Sequence, residues 1–220
     1  YKNLLANTSL TLYPVHSSAT KILDKKAYPS LTSIQESVDL VIIAIPASAV
    51  ETVVHECVAK KVKAVVIITA GFAEQSEQGK VVQTRIAETL QRANIALLGP
   101  NTMGFINPHR NLYASFGAEH VHQGSIALIS QSGAMLSALF QAYDSAQTGV
   151  SFAVSIGNKG GLSELECLAY AEHDEQTRVI ALYLESFANI PAFMQTAKRV
   201  SQSKPIFLLK GGMTSEGLHA

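Results

Sequence analysis

The sequence predicts an α/β protein made of two consecutive open parallel-sheet domains, and two observations carry that prediction. First, short apolar runs such as LVIIAI and AVVIIT recur along the chain and are typical of strands covered on both faces. Second, the segments between them place apolar residues with helical spacing, as at Val50, Val54 and Cys57. Strands that alternate with helices in this way favour parallel sheets with right-handed crossovers.

Eight strands are predicted from the apolar runs, and most are nearly continuous in Val, Ile, Leu and Ala. They cover residues 9–15, 39–45, 63–69, 95–98, 125–130, 150–155, 178–185 and 205–210. The alternation is interrupted at residues 107–124, where polar residues, Pro and Gly follow one another without a sustained period. We therefore predict a first domain at residues 1–119 and a second at residues 120–220.

Charge and cysteine usage exclude several classes of partner. Seventeen Lys and Arg residues balance seventeen Asp and Glu residues without a basic stripe, so we expect no nucleic-acid partner. The longest apolar runs are strand-sized, so we expect no membrane partner either. Cys57 and Cys167 lie far apart in predicted helices, which indicates free thiols in a reducing compartment and a cytoplasmic protein.

Small residues follow the strands of the first domain, at the edge where open parallel sheets bind ligands. The segments are PVHSS, PA, AGF and GPNTMG, which begin at Pro14, Pro46, Ala70 and Gly99. None of them forms a catalytic constellation of His, Cys or acidic residues, and small side chains let a ligand approach the backbone. These ends favour a site for a long, partly apolar cofactor. The alternative is that Gly and Pro only turn the chain.

In the second domain, an SQSG motif stands where a predicted strand becomes a helix. It comprises Ser130, Gln131, Ser132 and Gly133. Backbone N–H groups at a helix start attract anions, so the motif predicts a cradle for phosphate. A plain helix cap at Ser132 is the alternative.

Two further strand ends of the second domain are expected to meet this cradle. SIGNKGG would add the backbone amides of Gly157 and Asn158 to the phosphate site. YLES would bring the carboxylate of Glu185 to the same edge of the sheet. A carboxylate beside bound phosphate repels it unless a cation or an imidazolium lies between them. Glu185 therefore predicts a nearby histidine.

The histidines in the sequence do not fill that role well. His120 and His122 have the spacing of two ligands on one face of a strand, but no carboxylate or cysteine is spaced to join them. We therefore predict no metal site. His219 lies in the terminal segment KGGMTSEGLHA, after the last predicted strand.

Five motifs follow one another along the chain: GPNTMGFINP, IALISQSGAMLSAL, SFAVSIGNKGG, TRVIALYLES and KPIFLLKGGMTSEGLHA. In this order and spacing they resemble the CoA-binding α part of the NDP-forming acyl-CoA synthetases. That family includes ADP-forming acetate–CoA ligase and is related to the succinyl-CoA synthetase α subunit. The resemblance covers essentially all of the chain. It implies a Rossmann-like CoA-binding domain followed by a flavodoxin-like domain.

The resemblance also implies roles for particular residues. Those that would contact coenzyme A are Val15, His16, Ser17, Ile45, Pro46, Ala47, Thr69, Ala70, Gly71 and Asn101. Ser132 and Gly133 would donate amides to a phosphoryl group, and Glu185 would orient a phosphohistidine. Relatives tend to carry an Asn-Pro-Lys type turn where this chain has HSS, so no lysine is expected to neutralise the CoA phosphates there.

The reaction implied by the resemblance passes through acyl phosphate. Acyl-CoA and phosphate exchange to acyl phosphate and CoA, a histidine takes the phosphoryl group, and ADP receives it. ADP/ATP with Mg²⁺ would be held by an ATP-grasp domain or β subunit, and the remaining substrate is a small acyl group. Compared with the family, the sequence starts after the first strand and its glycine-rich turn and ends shortly before the catalytic histidine. We therefore expect this fragment to be inactive alone.

Two other functions are compatible with the same motifs. One is the CoA-sensing or acyl-CoA-sensing region of a protein lysine acetyltransferase, in which the catalytic histidine is lost. The other is a non-catalytic CoA-binding or assembly module. In both, the SQSG motif and Glu185 would be regulatory contacts or remnants.

Overall fold

The fold was analysed in a computed structural model that describes residues 1–117 and 120–212. In those ranges the helices are α1 (Lys2–Leu5), α2 (Ala47–Lys60), α3 (Glu77–Arg92), α4 (Gly133–Ser145), α5 (Glu164–His173) and α6 (Ile190–Val200). The strands are β1 (Lys21–Ile22), β2 (Lys25–Lys26), β3 (Leu40–Ile43), β4 (Ala64–Ile67), β5 (Ala96–Leu98), β6 (Gly104–Asn107), β7 (Leu112–Ser115), β8 (Gln123–Ser130), β9 (Val150–Ser155), β10 (Val179–Leu184) and β11 (Ile206–Lys210). Two short 3-10 helices lie at Leu31–Ser33 and Pro108–Arg110.

The first sheet is parallel throughout and has the order β3-β4-β5. One of its faces packs against α2 and α3, where Val54, Cys57 and Leu90 are almost fully buried. The other face packs against the second domain, because Val66 and Leu98 share a buried cluster with Leu168 of α5. Strands covered on both faces account for the continuous apolar runs, so three of the predicted strands are confirmed.

The second sheet has the order β11-β10-β8-β9-β6-β7. Strands β8 to β11 are parallel to one another, as predicted. Helices α5 and α6 cover one face with Leu168, Phe193 and Val200, and α4 covers the other with Leu136 and Phe140. The α/β class and the presence of two consecutive doubly covered sheets are therefore confirmed.

The sheet also contains two antiparallel strands that the sequence analysis missed. β6 and β7 form a hairpin, and β6 pairs antiparallel with β9. The second sheet is therefore mixed, and the change from one sheet to the other falls between Leu98 and Gly104, before the predicted boundary at residue 119. Residues 107–124, where the boundary was predicted from polar residues, Pro and Gly, contain all of β7 and the last residue of β6.

The predicted strand at residues 9–15 is wrong. In the structure only Val15 forms a bridge, to Tyr28, and Pro14 has no N–H to offer a ladder. The hairpin β1–β2 follows instead, closed by Leu23 and Asp24, whose φ angles of 46° and 61° suit a tight two-residue turn. Among the described residues, no helix combines the length and apolar composition that a membrane span requires.

A backbone seam joins the two domains. The N–H groups of Asn158, Gly160 and Leu162 donate to the carbonyls of Pro100, Gly99 and Leu97 over 2.9, 2.8 and 2.7 Å. A Cβ added at Gly157 would lie 2.3 Å from the Pro100 carbonyl oxygen, so only glycine permits this approach. The seam holds the loop after β9 against the end of β5.

Candidate cofactor and phosphate site

Three strand ends of the first domain meet through direct hydrogen bonds. The Thr69 hydroxyl donates to the Ile45 carbonyl over 2.7 Å, and the Asn101 amide donates to the Thr69 carbonyl over 2.9 Å. Asn101 adopts a left-handed conformation with φ of 56°. The structure thus brings together the predicted cofactor residues of three separate loops at one edge of the sheet.

Small residues line this open edge of the sheet, which suits a cofactor that lies along the backbone. Pro46 and Ala70 are exposed, and Ala47 is half-buried beside them. Gly71 has a φ of 103°, and a Cβ there would lie 3.4 Å from the Ala47 methyl group. Gly71 contributes shape rather than a donor, because its N–H already donates to the Glu74 carboxylate.

The predicted cofactor residues Val15, His16 and Ser17 are exposed but form a turn of their own. Nδ1 of His16 accepts hydrogen bonds from the amides of Ser18 and Ala19 at 3.2 and 3.0 Å. The His16 amide donates to Tyr28. The described hydrogen bonds of this turn therefore do not link it to the three joined strand ends.

In the second domain, the start of α4 presents the candidate phosphate site. Ser132 caps the helix by accepting the Met135 amide at 3.3 Å. The Ser132 amide donates to Ser130 Oγ and is therefore occupied within the turn. Gly133 and Ala134 begin the helix, where N–H groups have no acceptor within the helix. The amide of Ala134, which the sequence analysis missed, takes the place of the Ser132 amide as a candidate donor.

Ser155 provides an independent sign that this corner suits an anion or another hydrogen-bonding group. Its Oγ is fully buried and is the one such side-chain atom without a partner among the described residues. A Cβ built on Gly133 would lie 3.9 Å from this oxygen. Buried hydroxyls normally have a partner, so an unpaired one beside a helix start fits a site for a polar ligand.

Gln131 connects the SQSG turn to Glu185. Its Oε1 accepts the amides of Glu185 and Ser186 at 3.0 Å each, and its Nε2 donates to the Ser186 hydroxyl. Both ends of the side chain are therefore used inside the protein. The prediction that Gln131 and the buried Ser130 bind phosphate is corrected, because both side chains brace the turn.

The carboxylate of Glu185 is exposed beside this turn. Lys210 Nζ donates to the Glu185 carbonyl over 2.7 Å and fixes its backbone. Burial and then the charge and hydrogen bond of Glu185 raise the pKa of the Tyr183 hydroxyl. The Glu185 carboxylate is therefore exposed and interacts with Tyr183, and Gln131 joins the Glu185 backbone to the turn that precedes α4.

Gly157 and Asn158 do not lie in the phosphate site. Gly157 is buried under the seam, and the Asn158 amide donates to Pro100. The Asn158 side chain donates to Glu74 and to Gln83, and its Oδ1 accepts from Asn101 at 3.2 Å. The glycines in SIGNKGG allow domain contact rather than phosphate contact, which sequence alone cannot distinguish.

The cysteines and most histidines lie outside this site. Burial raises the pKa of the Cys57 and Cys167 thiols to about 12, so both stay protonated at neutral pH. His122 Nε2 lies 3.4 Å from Asp144 Oδ1, and the described residues include no group of three side chains suited to a metal ion. His219 lies outside the described residues.

Comparisons with known families agree with both halves of the structure. Residues 1–108 match the family described as CoA binding domain, and residues 123–220 match the family described as succinyl-CoA ligase like flavodoxin domain. Together the fold and these two matches define a CoA-binding domain joined to a succinyl-CoA ligase like flavodoxin domain. The chain belongs to the NDP-forming acyl-CoA synthetases and corresponds to their α part.

The similar proteins are longer than this chain. It is 38% identical over 209 residues to acetate–CoA ligase [ADP-forming] of Methanocaldococcus jannaschii, covering 95% of this chain and 29% of the relative. It is 40% identical over 195 residues to the α subunit of acetate–CoA ligase [ADP-forming] I of Pyrococcus furiosus, covering 89% and 42%. A solved structure of the dinucleotide forming acetyl-coenzyme A synthetase 1 of Ca. Korarchaeum cryptofilum, in complex with phosphate and ADP, has a TM-score of 0.92 at 33% identity, covering 99% and 47%.

Proposed function

We propose that this chain is the CoA-binding and phosphoryl-binding part of an acid–CoA ligase. The full-length protein would convert acyl-CoA, phosphate and ADP into the free acid, CoA and ATP, through acyl phosphate and a phosphohistidine. The observation that carries the proposal is the position of Glu185. Gln131 directly precedes the N-cap of α4 and accepts the amides of Glu185 and Ser186, so it ties the residue that carries this carboxylate to the turn before the helix.

The helix start and the Glu185 carboxylate would have separate tasks. The amides of Gly133 and Ala134 would stabilise the negative charge of the phosphoryl group, since helix starts bind anions. The Glu185 carboxylate would accept the ring N–H of the histidine and fix its tautomer. Bound CoA would supply the thiol that takes the acyl group, held along Pro46, Ala47 and Ala70.

A nucleotide-binding partner completes the proposed reaction. An ATP-grasp domain or β subunit, fused or separate, would hold ADP or ATP with Mg²⁺ and receive the phosphoryl group. The two relatives described above are named for acetate, which favours a small acyl substrate. The greater length of those relatives supports further domains or subunits.

The test uses the full-length protein with acetyl-CoA and radiolabelled phosphate. We expect an acid-labile, alkali-stable label on the protein, and we expect Glu185→Gln to slow its appearance about tenfold to a hundredfold. Labelling of the Gln variant at the wild-type rate would exclude Glu185 from the reaction. A wild-type protein that binds CoA but takes no label would instead support the CoA-sensing function.

A further inference from the structure

The segment that follows β10, residues 185–188, is held mainly by side chains from other parts of the domain. Gln131 accepts the amides of Glu185 and Ser186, and Lys210 donates to the Glu185 carbonyl. These contacts fix the first two residues of the segment. A second set of contacts holds the Ser186 carbonyl and the Ala188 amide.

Those contacts come from a buried ion pair between Lys159 and Glu164. Lys159 Nζ lies 3.3 Å from Glu164 Oε2, and the two side chains are only 9% and 0% exposed. Lys159 Nζ also donates to the Ser186 carbonyl over 3.0 Å. Glu164 Oε1 accepts the Ala188 amide at 2.6 Å. The two side chains therefore bind the backbone on opposite sides of Phe187: Lys159 before it and Glu164 after it.

The location of the pair is not explained by stability alone. A buried ion pair often contributes no more to stability than apolar side chains of the same size, because both charges lose their hydration. Glu164 does gain from its place in the first turn of α5, which begins with a complete capping box at Ser163. Lys159 has no such gain, and its contacts apart from Glu164 lead to the segment that carries Glu185.

We infer that Lys159 and Glu164 are positioning residues that hold the Glu185 carboxylate at the start of α4. The inference rests on the proposed function, since it assigns the pair to phosphoryl transfer. The pair contacts neither predicted ligand. It acts through residues 186–188, whose backbone sets the direction of the preceding side chain.

A coupling experiment in the full-length protein tests this role. The double variant Lys159→Met with Glu164→Gln removes both charges, keeps similar side-chain volumes and leaves an amide oxygen for Ala188. We expect it to lower the rate of acid-labile labelling from radiolabelled phosphate and acetyl-CoA about tenfold. In a background that already carries Glu185→Gln, the same double change should cost less than about twofold, because the path through Glu185 is gone.

A second, more exposed ion pair in the same domain provides the control. Arg199 binds Glu172 at 2.6 Å between α6 and α5, away from residues 185–188. Arg199→Met with Glu172→Gln should leave the labelling rate unchanged in both backgrounds. Thermal denaturation of every variant separates loss of fold from loss of rate. Should the double variant unfold, Glu164→Gln alone provides the same comparison.

The outcomes separate the two proposals. An equal loss of rate in the wild-type and Glu185→Gln backgrounds would overturn the positioning role, and so would a double variant that labels at the wild-type rate. A normal rate for Glu185→Gln alone would exclude Glu185, and with it the positioning role, from the reaction. A wild-type protein that takes no label would instead overturn the proposed function.

Discussion

Gly133 is the residue at which the proposed phosphate site can be changed with least effect on the fold. It occupies the first position of α4, where proline is well tolerated because the N–H has no helical partner. Ser132 before it has φ of −101° and ψ of 122°, which a following proline permits. Gly133→Pro therefore removes one amide donor from a helix that keeps its start.

We expect Gly133→Pro to reduce phosphate-dependent labelling of the full-length protein by about tenfold to a hundredfold. Its melting temperature should stay close to that of the wild type. Gly133→Ala is the control, because it keeps the N–H and its Cβ would lie 3.4 Å from Met103 Cβ, an ordinary contact. Equal labelling by the Pro and Ala variants would show that this amide does not bind the phosphoryl group.

Gly157 is a residue where the same small change should have a large effect on stability. Its φ is 56°, and a Cβ would lie 2.3 Å from the Pro100 carbonyl oxygen. We expect Gly157→Ala to lower the free energy of unfolding by about 3 kcal/mol, from strain and overpacking together. Urea denaturation measures the change, with Gly133→Ala as the reference. A loss below about 1 kcal/mol would contradict the close contact across the seam.

At the scale of the element, the turn at residues 71–74 joins the first domain to the seam, because Glu74 accepts a hydrogen bond from the Asn158 side chain. Burial raises the pKa of the Glu74 carboxyl, but the Gly71 and Phe72 amides and the Asn158 side chain donate to it and hold the pKa below its ordinary value. A lowered pKa in the folded state means that this contribution to stability is present above pH 4.5. It is lost as the pH falls through the folded-state value.

We therefore expect the melting temperature of the wild type to fall more steeply with acid than that of Glu74→Gln. The difference between the two should be largest above pH 4.5 and should shrink as the pH falls through the lowered pKa of Glu74 in the folded state. Calorimetry across this range measures both curves. Parallel curves would mean that the Glu74 carboxylate is not held by these donors in solution.

The elements show how far sequence could predict this protein. Apolar runs predicted β3, β4, β5 and the parallel strands of the second sheet, because burial on both faces leaves a continuous hydrophobic signal. The hairpin β6–β7 was missed because the burial of β6 alternates over only four residues and that of β7 does not alternate, and because Gly and Pro lie in and around both strands. The strand predicted at residues 9–15 has β-type composition, but it joins none of the described sheets, and only Val15 forms a bridge, to Tyr28.

The site was predictable in outline but not in its hydrogen bonding. The order of strand ends placed the segments after β3, β4 and β5 at one edge and Glu185 near the SQSG turn. The family resemblance named Ile45, Thr69 and Asn101 as cofactor residues at the first of these edges. No sequence pattern states which amides are already bonded, so Gln131 and Asn158 were assigned to phosphate although they brace the protein. Lys159 and Glu164 carried no signal at all, since a buried ion pair between neighbouring motifs resembles a solvated one in sequence.

At the scale of the whole molecule, β11 leaves an apolar surface exposed. Phe207, Leu208 and Leu209 are 66%, 42% and 58% exposed, and within the described residues only β10 pairs with this strand. An uncovered apolar edge strand promotes pairing with another chain. We expect the 220-residue chain to self-associate as its concentration rises, as sedimentation velocity would measure.

Charges on one face of β11 should reduce this association. Phe207→Lys with Leu209→Lys adds repulsion at the edge, so the double variant should remain monomeric at concentrations where the wild type does not. Val81→Lys is the control, because Val81 is 51% exposed on α3, away from the edge. Association that persists in the double variant would place the contact elsewhere.

The seam between the domains makes it possible to measure how firmly they adhere without a ligand or a label. The amides of Gly160 and Leu162 belong to one domain and donate to carbonyl groups of the other. Their protons can exchange with deuterium when the two sheets part, even while each sheet keeps its own ladder. If these two amides exchange faster than the amides of β4 and β8, the ratio of rates gives the free energy of parting the domains.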